Sequence, residues 1–189
     1  MPKIINEEDV FKAVIRLLVI RGYARTTTSD MAAAAGMHEA TLFRKYGSKT
    51  KLIEKAVTRQ LSTTPLSQVR YSGDLRADLT LILEAYLATI AEHGEIMPLL
   101  LVEIPRHPEL KDALRAPLAN IQNIAAILAL YQRENLLGQE PPLFAVNALL
   151  APLMVNEMYR RINIDLQAPK MDLQWYVDAF LNGRQPRRN

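Results

Sequence analysis

The chain has no cysteine. That excludes a disulfide framework, a cysteine nucleophile and a thiolate metal site. Its three histidines, His38, His93 and His107, are widely separated. Glu103 and His107 have the four-residue spacing of a shared metal ligand on a helix, but Pro105 between them breaks that helix. No run of eighteen apolar residues occurs, so no membrane span is expected. The opening MPKIINEEDV lacks the apolar stretch of a signal peptide. Neither a glycine-rich phosphate loop nor a nucleophile motif is found, so no enzyme, catalytic residue, metal or cofactor is expected. These absences favour a cytoplasmic protein with no membrane partner.

What is present is ordinary in bulk and uneven in detail. Of 189 residues, 49% are apolar and 23% charged, enough for one sizeable core or a small domain joined to a larger one. The formal charge is +3, but the first sixty residues carry the whole excess of lysine and arginine. The remainder is slightly acidic. Basic character gathered in one segment is the footprint of a nucleic-acid contact, because phosphate neutralisation dominates such affinity. A solvated basic face would look the same.

The stretch TTTSDMAAAAGMHEATLFRKYGSKTK, residues 26–51, supplies the missing specificity. Thr27 can cap a helix in which Met31, Ala32 and Ala35 fall at helical spacing. Gly36 stands where that helix must stop, and Met37 plugs the turn. A second helix, HEATLFRKY, runs to Gly47, and Ser48 caps a third. Helix, glycine turn, helix is the build that lays its second helix in the DNA major groove. A plain helical hairpin in an all-α core has the same spacing. The second helix offers Thr41, Arg44, Lys45 and Tyr46 outward, with Leu42 as anchor. Ala40 and Thr41 are small enough for close approach to a backbone. Arg44 is the expected base reader, since arginine bridges guanine O6 and N7. Thr27, Thr41, Lys45 and Tyr46 are expected phosphate contacts.

Gly22-Tyr23-x-x-Thr26-Thr27-Thr28, Met31-Ala32-x-x-Ala35-Gly36-Met37 and Ala40-Thr41-Leu42-Phe43-x-x-Tyr46-x-Ser48-Lys49-x-x-Leu52 together closely resemble the TetR family of bacterial transcriptional repressors. The resemblance covers about residues 7–60. It implies a homodimer on a palindromic double-stranded operator, a short recognition helix, and a helical second domain that releases DNA on binding a small-molecule inducer. It also places a phosphate contact at Lys49. The full interface is therefore expected from Thr27, Thr28, His38, Glu39, Ala40, Thr41, Phe43, Arg44, Lys45, Tyr46 and Lys49. The family usually has Ser where this chain has His38, Gly where it has Ala40, and Tyr where it has Phe43, so a phosphate hydrogen bond is lost there. It often has an acid at Thr50. These departures admit a second reading, a small-molecule-binding protein of TetR-like fold without strong DNA affinity.

In chain order, Lys3 lies in an arm that could touch a minor groove. Asn6 caps a first helix whose stripe Val10, Ala13, Val14, Leu17 and Leu18 should brace the motif, and Gly22 ends it. Residues 48 to about 61 form a helix with Leu52, Ile53, Ala56 and Val57 inward, and this helix is the mechanical link to the second domain. Residues 62–74 read as a polar linker. Asp74 caps a helix over about 75–93, and a shorter one follows through Ile96–Val102. The next runs from Pro108 to about Asn135, divided or kinked at Pro117. Another runs from Pro142 to about Asn163, interrupted by Pro152, and Asp172 opens the last. The expected fold is all-α with about nine helices: a three-helix helix-turn-helix DNA-binding domain in residues 1–60 (motif about 27–46), and a ligand-binding and dimerisation domain in 61–189. Phe144, Leu149, Leu150, Leu153 and Met154, with Leu173, Trp175, Tyr176, Val177 and Phe180, make the last two helices apolar on more than one face. A four-helix dimer interface would cover them, as would the domain's own core. Residues 183–189 form a basic tail. Polar residues inside apolar helices suggest an effector pocket of Tyr86, Met97, Glu103, Asn120, Asn123, Asn147, Met154, Glu157 and Met158. With Glu103 and Glu157 facing it, a lipophilic cation would fit.

Overall fold

The computed structural model describes residues 6–164 and 171–183. Among these there are nine α-helices and no strand: α1 Glu7–Arg21, α2 Thr28–Ala34, α3 Glu39–Tyr46, α4 Lys49–Ser62, α5 Leu75–His93, α6 Ile96–Glu103, α7 Arg115–Arg133, α8 Pro142–Arg161 and α9 Leu173–Asn182. Two short 3₁₀ helices, Pro65–Gln68 and Pro108–Leu114, stand before α5 and α7. The Lys3 arm and the tail beyond Gly183 lie outside the described residues.

By packing, the chain divides into two compact units. The first runs to Thr63 and takes in Glu95–Pro117; the second is Thr64–Gly94 with the residues from Leu118 onward. In the first unit, Val10, Val14 and Leu18 of α1 meet Met31 of α2, Leu42 of α3, and Leu52, Ile53 and Val57 of α4, all buried. Ile96, Leu100, Leu110 and Ala113 complete this core. Burial of such side chains contributes about 1.5–3 kcal/mol each, so α6 and the 3₁₀ helix are structural members of the helix-turn-helix unit.

The second unit is built on α5, α7, α8 and α9. Three proline-bearing stretches depart from expectation. Residues 62–74 are not a free linker: Thr64, Leu66 and Val69 are buried and the 3₁₀ turn carries the apolar pair inward. The helix expected from Pro108, with a kink or division at Pro117, is divided two residues earlier, at Arg115. Pro117, with no N–H and a ring that would crowd the carbonyl four residues back, sits in the first turn of α7, where it costs nothing. Pro152 does not interrupt α8. The Tyr176 hydroxyl of α9 donates to Leu149 O at 3.0 Å and lies 3.5 Å from Ala148 O, the carbonyl that Pro152 leaves without its helical donor.

A buried carboxylate fixes the start of this unit. Asp78, 2% exposed, accepts from Ser72 N at 2.9 Å, Ser72 Oγ at 2.6 Å and the Tyr131 hydroxyl. Burial and that carboxylate push the Tyr131 phenol upward. The stretch Pro108–Arg133 is long and apolar enough by composition to cross a membrane, with a mean hydropathy of 1.3. Ile124, Leu128 and Tyr131 nevertheless spend its apolar side on the unit's core.

Candidate nucleic-acid interface

The motif is assembled from caps. The Thr27 hydroxyl accepts from Asp30 N at 3.1 Å while Asp30 Oδ2 accepts from Thr27 N at 2.9 Å, a reciprocal capping box. The Asp30 carboxyl is held below its ordinary pKa, chiefly by that backbone bond. At the other end of α2, Met37 N reaches Ala32 O and Gly36 N reaches Ala33 O. This Schellman closure requires the left-handed residue that Gly36 supplies at φ +64°. The turn therefore fixes the angle at which α3 leaves.

On α3, Leu42 and Tyr46 are buried and seat the helix on the core. At 3.6 residues per turn, Ala40 and Arg44 lie opposite Leu42, and Phe43 adjoins them, the three sharing about 100° of arc. All three are exposed. Arg44 has no hydrogen-bond or ion-pair partner among the described residues, so its five donors are open to an incoming acceptor. His38 stands at the N-cap without a side-chain bond. The Thr28 hydroxyl, on α2, donates to the Glu39 carboxylate and cross-links the two motif helices. Thr41 is half-buried on one flank of α3.

Two of the remaining predicted residues are engaged internally. Tyr46 donates its hydroxyl to Glu7 Oε1 at 3.0 Å, and Lys45 Nζ pairs with the same carboxylate at 2.8 Å. Lys45 and Tyr46 hold the Glu7 carboxyl below its usual range. Burial, then Glu7, pushes the Tyr46 phenol up. Lys45 remains half-exposed, with its ammonium on the flank.

Lys49 departs further from the role the resemblance implies. Its ammonium lies 3.7 Å from the Tyr23 ring centroid and donates to Tyr23 O. Burial lowers its pKa, and the carboxylates of Glu103 and Glu109 partly offset that. It is an internal tie. Sequence reasoning missed its partners. Glu103 Oε1 accepts the Tyr23 N–H at 3.0 Å, and the His107 ring lies tilted against Tyr23 at 4.5 Å between ring centroids. Gly22, at φ +75°, leaves room that a Cβ would take: it would meet Glu103 Oε1 at 2.9 Å. Eighty residues separate Tyr23 from Glu103, and no local pattern signals such a bond.

The expected pocket residues are divided between the two units. Met97 and Glu103 belong to the first unit and the other seven to the second. Asn147 and Met158 are exposed, while Met154 is half-buried. Asn120 is buried, and Asn123 donates to Val69 O at 3.0 Å. Tyr86 is buried, which pushes its phenol up to about 12, and it has no hydrogen-bond partner among the described residues. The two carboxylates expected around a cation each have partners within their own unit. Glu103 serves Tyr23, and Glu157 is matched by Arg160 and Arg161, each at 2.8 Å. One hollow in the second unit, about 390 Å³, is an apolar groove between Pro65, Val69, Leu81 and Ala85, with none of the nine in its lining.

A capped helix-glycine turn-helix on an α1–α4 core, in an otherwise helical chain, defines a helix-turn-helix protein. Residues 10–56, the helix-turn-helix segment, match the family described as "Bacterial regulatory proteins, tetR family". An HTH-type transcriptional regulator of Mycobacterium tuberculosis is 32% identical over 113 residues, 58% of this chain and 54% of that protein. The YvkB regulator of Bacillus subtilis is 31% identical over 92 residues, 49% of each chain. The chain thus spans about half the length of the curated relatives it matches. Among solved structures, a TetR family transcription regulator from Marinobacter aquaeolei superposes with a TM-score of 0.74 at 16% identity over 96% of both chains. The flavonoid-responsive regulator FrrA superposes with a TM-score of 0.70 at 21% identity, over 96% of this chain and 98% of that one. The all-α expectation holds on these likenesses. The family is described as one of bacterial regulatory proteins, and the curated relatives are named as transcriptional regulators.

Proposed function

We propose that this chain is a cytoplasmic, sequence-specific DNA-binding transcriptional regulator that acts as a homodimer on a palindromic operator and is released by a small-molecule effector. The observation that carries the reading is α3. Its inner side is anchored by Leu42 and Tyr46, while its outer side presents a free guanidinium beside the small Ala40 and the apolar Phe43. Such a helix is shaped to enter a major groove. Two copies would have to place their recognition helices roughly 34–36 Å apart on one face of the duplex.

Dimerisation through α8 and α9 has support in what the fold leaves uncovered. Leu149, Leu150, Leu153, Val177 and Phe180 are spent on the unit's own core. Phe144, Val155, Met158 and Ile162 remain exposed along one face of α8, and Trp175 is 65% exposed on α9. An effector would bind in the second unit, where Tyr86 holds an unspent hydroxyl in an apolar setting. The flavonoid response in the name of FrrA agrees with a small organic ligand for a fold of this kind. Release follows if the effector binds better to a conformation with another spacing of the two recognition helices, by the differential free energy between states.

The experiment is selection of binding sites from a random duplex library by the purified protein, repeated with Arg44→Ala. An enriched palindrome, with preference at one base pair per half-site relaxed in the variant, supports the reading. No enrichment at low salt would overturn it in favour of a small-molecule-binding protein.

A further inference from the structure

Phe43 stands out once the recognition helix is in view. It is 58% exposed and takes no part in the hydrophobic core of its unit, which ends on this helix at Leu42 and Tyr46. A single exposed aromatic on a protein surface is ordinary. Phe43, however, lies on the face of α3 that carries Ala40 and Arg44, and that face has no other covering in its unit. Ala40 and Phe43 are three apart, hence neighbours along the helix surface. They form a small apolar patch directly beside the guanidinium. A phenyl ring has no donor for a phosphate and none for a base edge. In the major groove the one strongly apolar feature at a base edge is the thymine C5-methyl group.

We propose that Phe43, with Ala40, is a specificity-determining residue that seats a thymine methyl next to the base pair read by Arg44. This rests on the DNA-binding reading above. Each half-site then carries a thymine adjacent to the Arg44-dependent guanine. Preference there comes from burial of one methyl against the ring rather than from a hydrogen bond. The tie between Thr28 and Glu39 holds the neighbouring carboxylate toward α2, which leaves the phenyl side of the groove face apolar.

The test uses the full-length protein and its selected operator. Each thymine is replaced in turn by deoxyuridine, which removes the methyl and keeps every hydrogen-bonding group, and affinity is read by fluorescence anisotropy. Burial of one methyl corresponds to about a fourfold change. The expected result is such a loss at one thymine per half-site, beside the Arg44-dependent pair, and no further loss there for Phe43→Ala, which binds thymine and deoxyuridine alike. Arg44→Ala should keep the deoxyuridine effect. Phe43 is exposed and outside the core, so its variants should melt as the parent does. The proposal is overturned if every deoxyuridine duplex binds as the parent duplex, or if Phe43→Ala keeps the full discrimination. Failure to bind any duplex specifically would instead bring down the DNA-binding reading and this inference with it.

Discussion

Lys49 decides between an inherited role and the one its surroundings give it. A phosphate-contacting lysine contributes about 0.9 to the slope of log K against log salt, or about 1.8 for two half-sites. In this structure the ammonium points inward, over the Tyr23 ring at 3.7 Å and onto its carbonyl. The charge-assisted hydrogen bond is worth about 1.5–3 kcal/mol and the cation–π contact about 0.5–2 kcal/mol. Against them stands the cost of a half-buried charge, visible in the lowered pKa. Lys49→Met keeps the stem's packing, so the net loss should be about 1–2 kcal/mol of stability. That corresponds to roughly 2–4 °C of Tm per kcal/mol for a chain of this size. The assay is a pair of curves: thermal melting, and operator affinity from 50 to 200 mM salt. The expected outcome is a lower Tm with the salt slope unchanged. A slope flattened by about 1.8 at an unchanged Tm would refute the reasoning and restore the phosphate contact.

The same corner yields a coupled pair. Gly22→Ala should cost more than about 1 kcal/mol, from the positive φ and the approach to Glu103 Oε1. Glu103→Ala should cost about 1–3 kcal/mol by stranding the Tyr23 N–H. The double variant, followed by denaturant unfolding, should cost less than the sum of the two. Asp78→Ala should cost about 1–3 kcal/mol or more, because it strands Ser72 N and the buried Tyr131 hydroxyl together. The Glu7 carboxyl is depressed in the fold by Lys45 and Tyr46, so its contribution is complete above the ordinary value of 4.5 and is lost as pH falls through the lower folded value. The Tm gap between the parent and Glu7→Gln should accordingly be present at pH 7 and close on acidification. Trp175→Asp with Phe144→Asp should give a monomer in sedimentation velocity, with helix content retained and palindrome affinity lost.

The helix-turn-helix was legible because its signals are local. Asn6, Thr27, Ser48, Asp74 and Asp172 all cap the helices they precede, and Gly22, Gly36 and Gly47 all take positive φ where a helix ends. What stayed hidden is carried by bonds between distant residues. Periodicity identified α6 as a helix but gave no sign that Ile96 and Leu100 would join the core of α1 and α4. Glu103 looked like a pocket carboxylate because a buried acid inside an apolar helix reads that way until its partner is seen. Pro152 looked like a break because the Tyr176 hydroxyl that relieves it comes from another helix. Residues 62–74 looked like a linker because polar letters outnumber the two apolar residues that are buried. The outward face of α3 was readable from helical spacing alone, whereas the engagement of Tyr46 and Lys49 was not.

These engagements gather on one corner of the first unit. The Tyr23 corner, between α1 and α2, is held from three directions: Lys49 at the start of α4, Glu103 at the end of α6, and the His107 ring just beyond. α4 was the link that sequence alone suggested, since it leads out of the motif. The segment Glu95–Pro117 leaves the second unit after Gly94 and rejoins it at Leu118, so the chain itself ties α6 to the second unit at both ends. Glu103, at the end of α6, holds a backbone N–H four residues before the α2 capping box begins. There the cost of a displaced carboxylate is a stranded buried donor, about 1–3 kcal/mol, comparable to the coupling free energy that separates bound from released states in allosteric proteins generally.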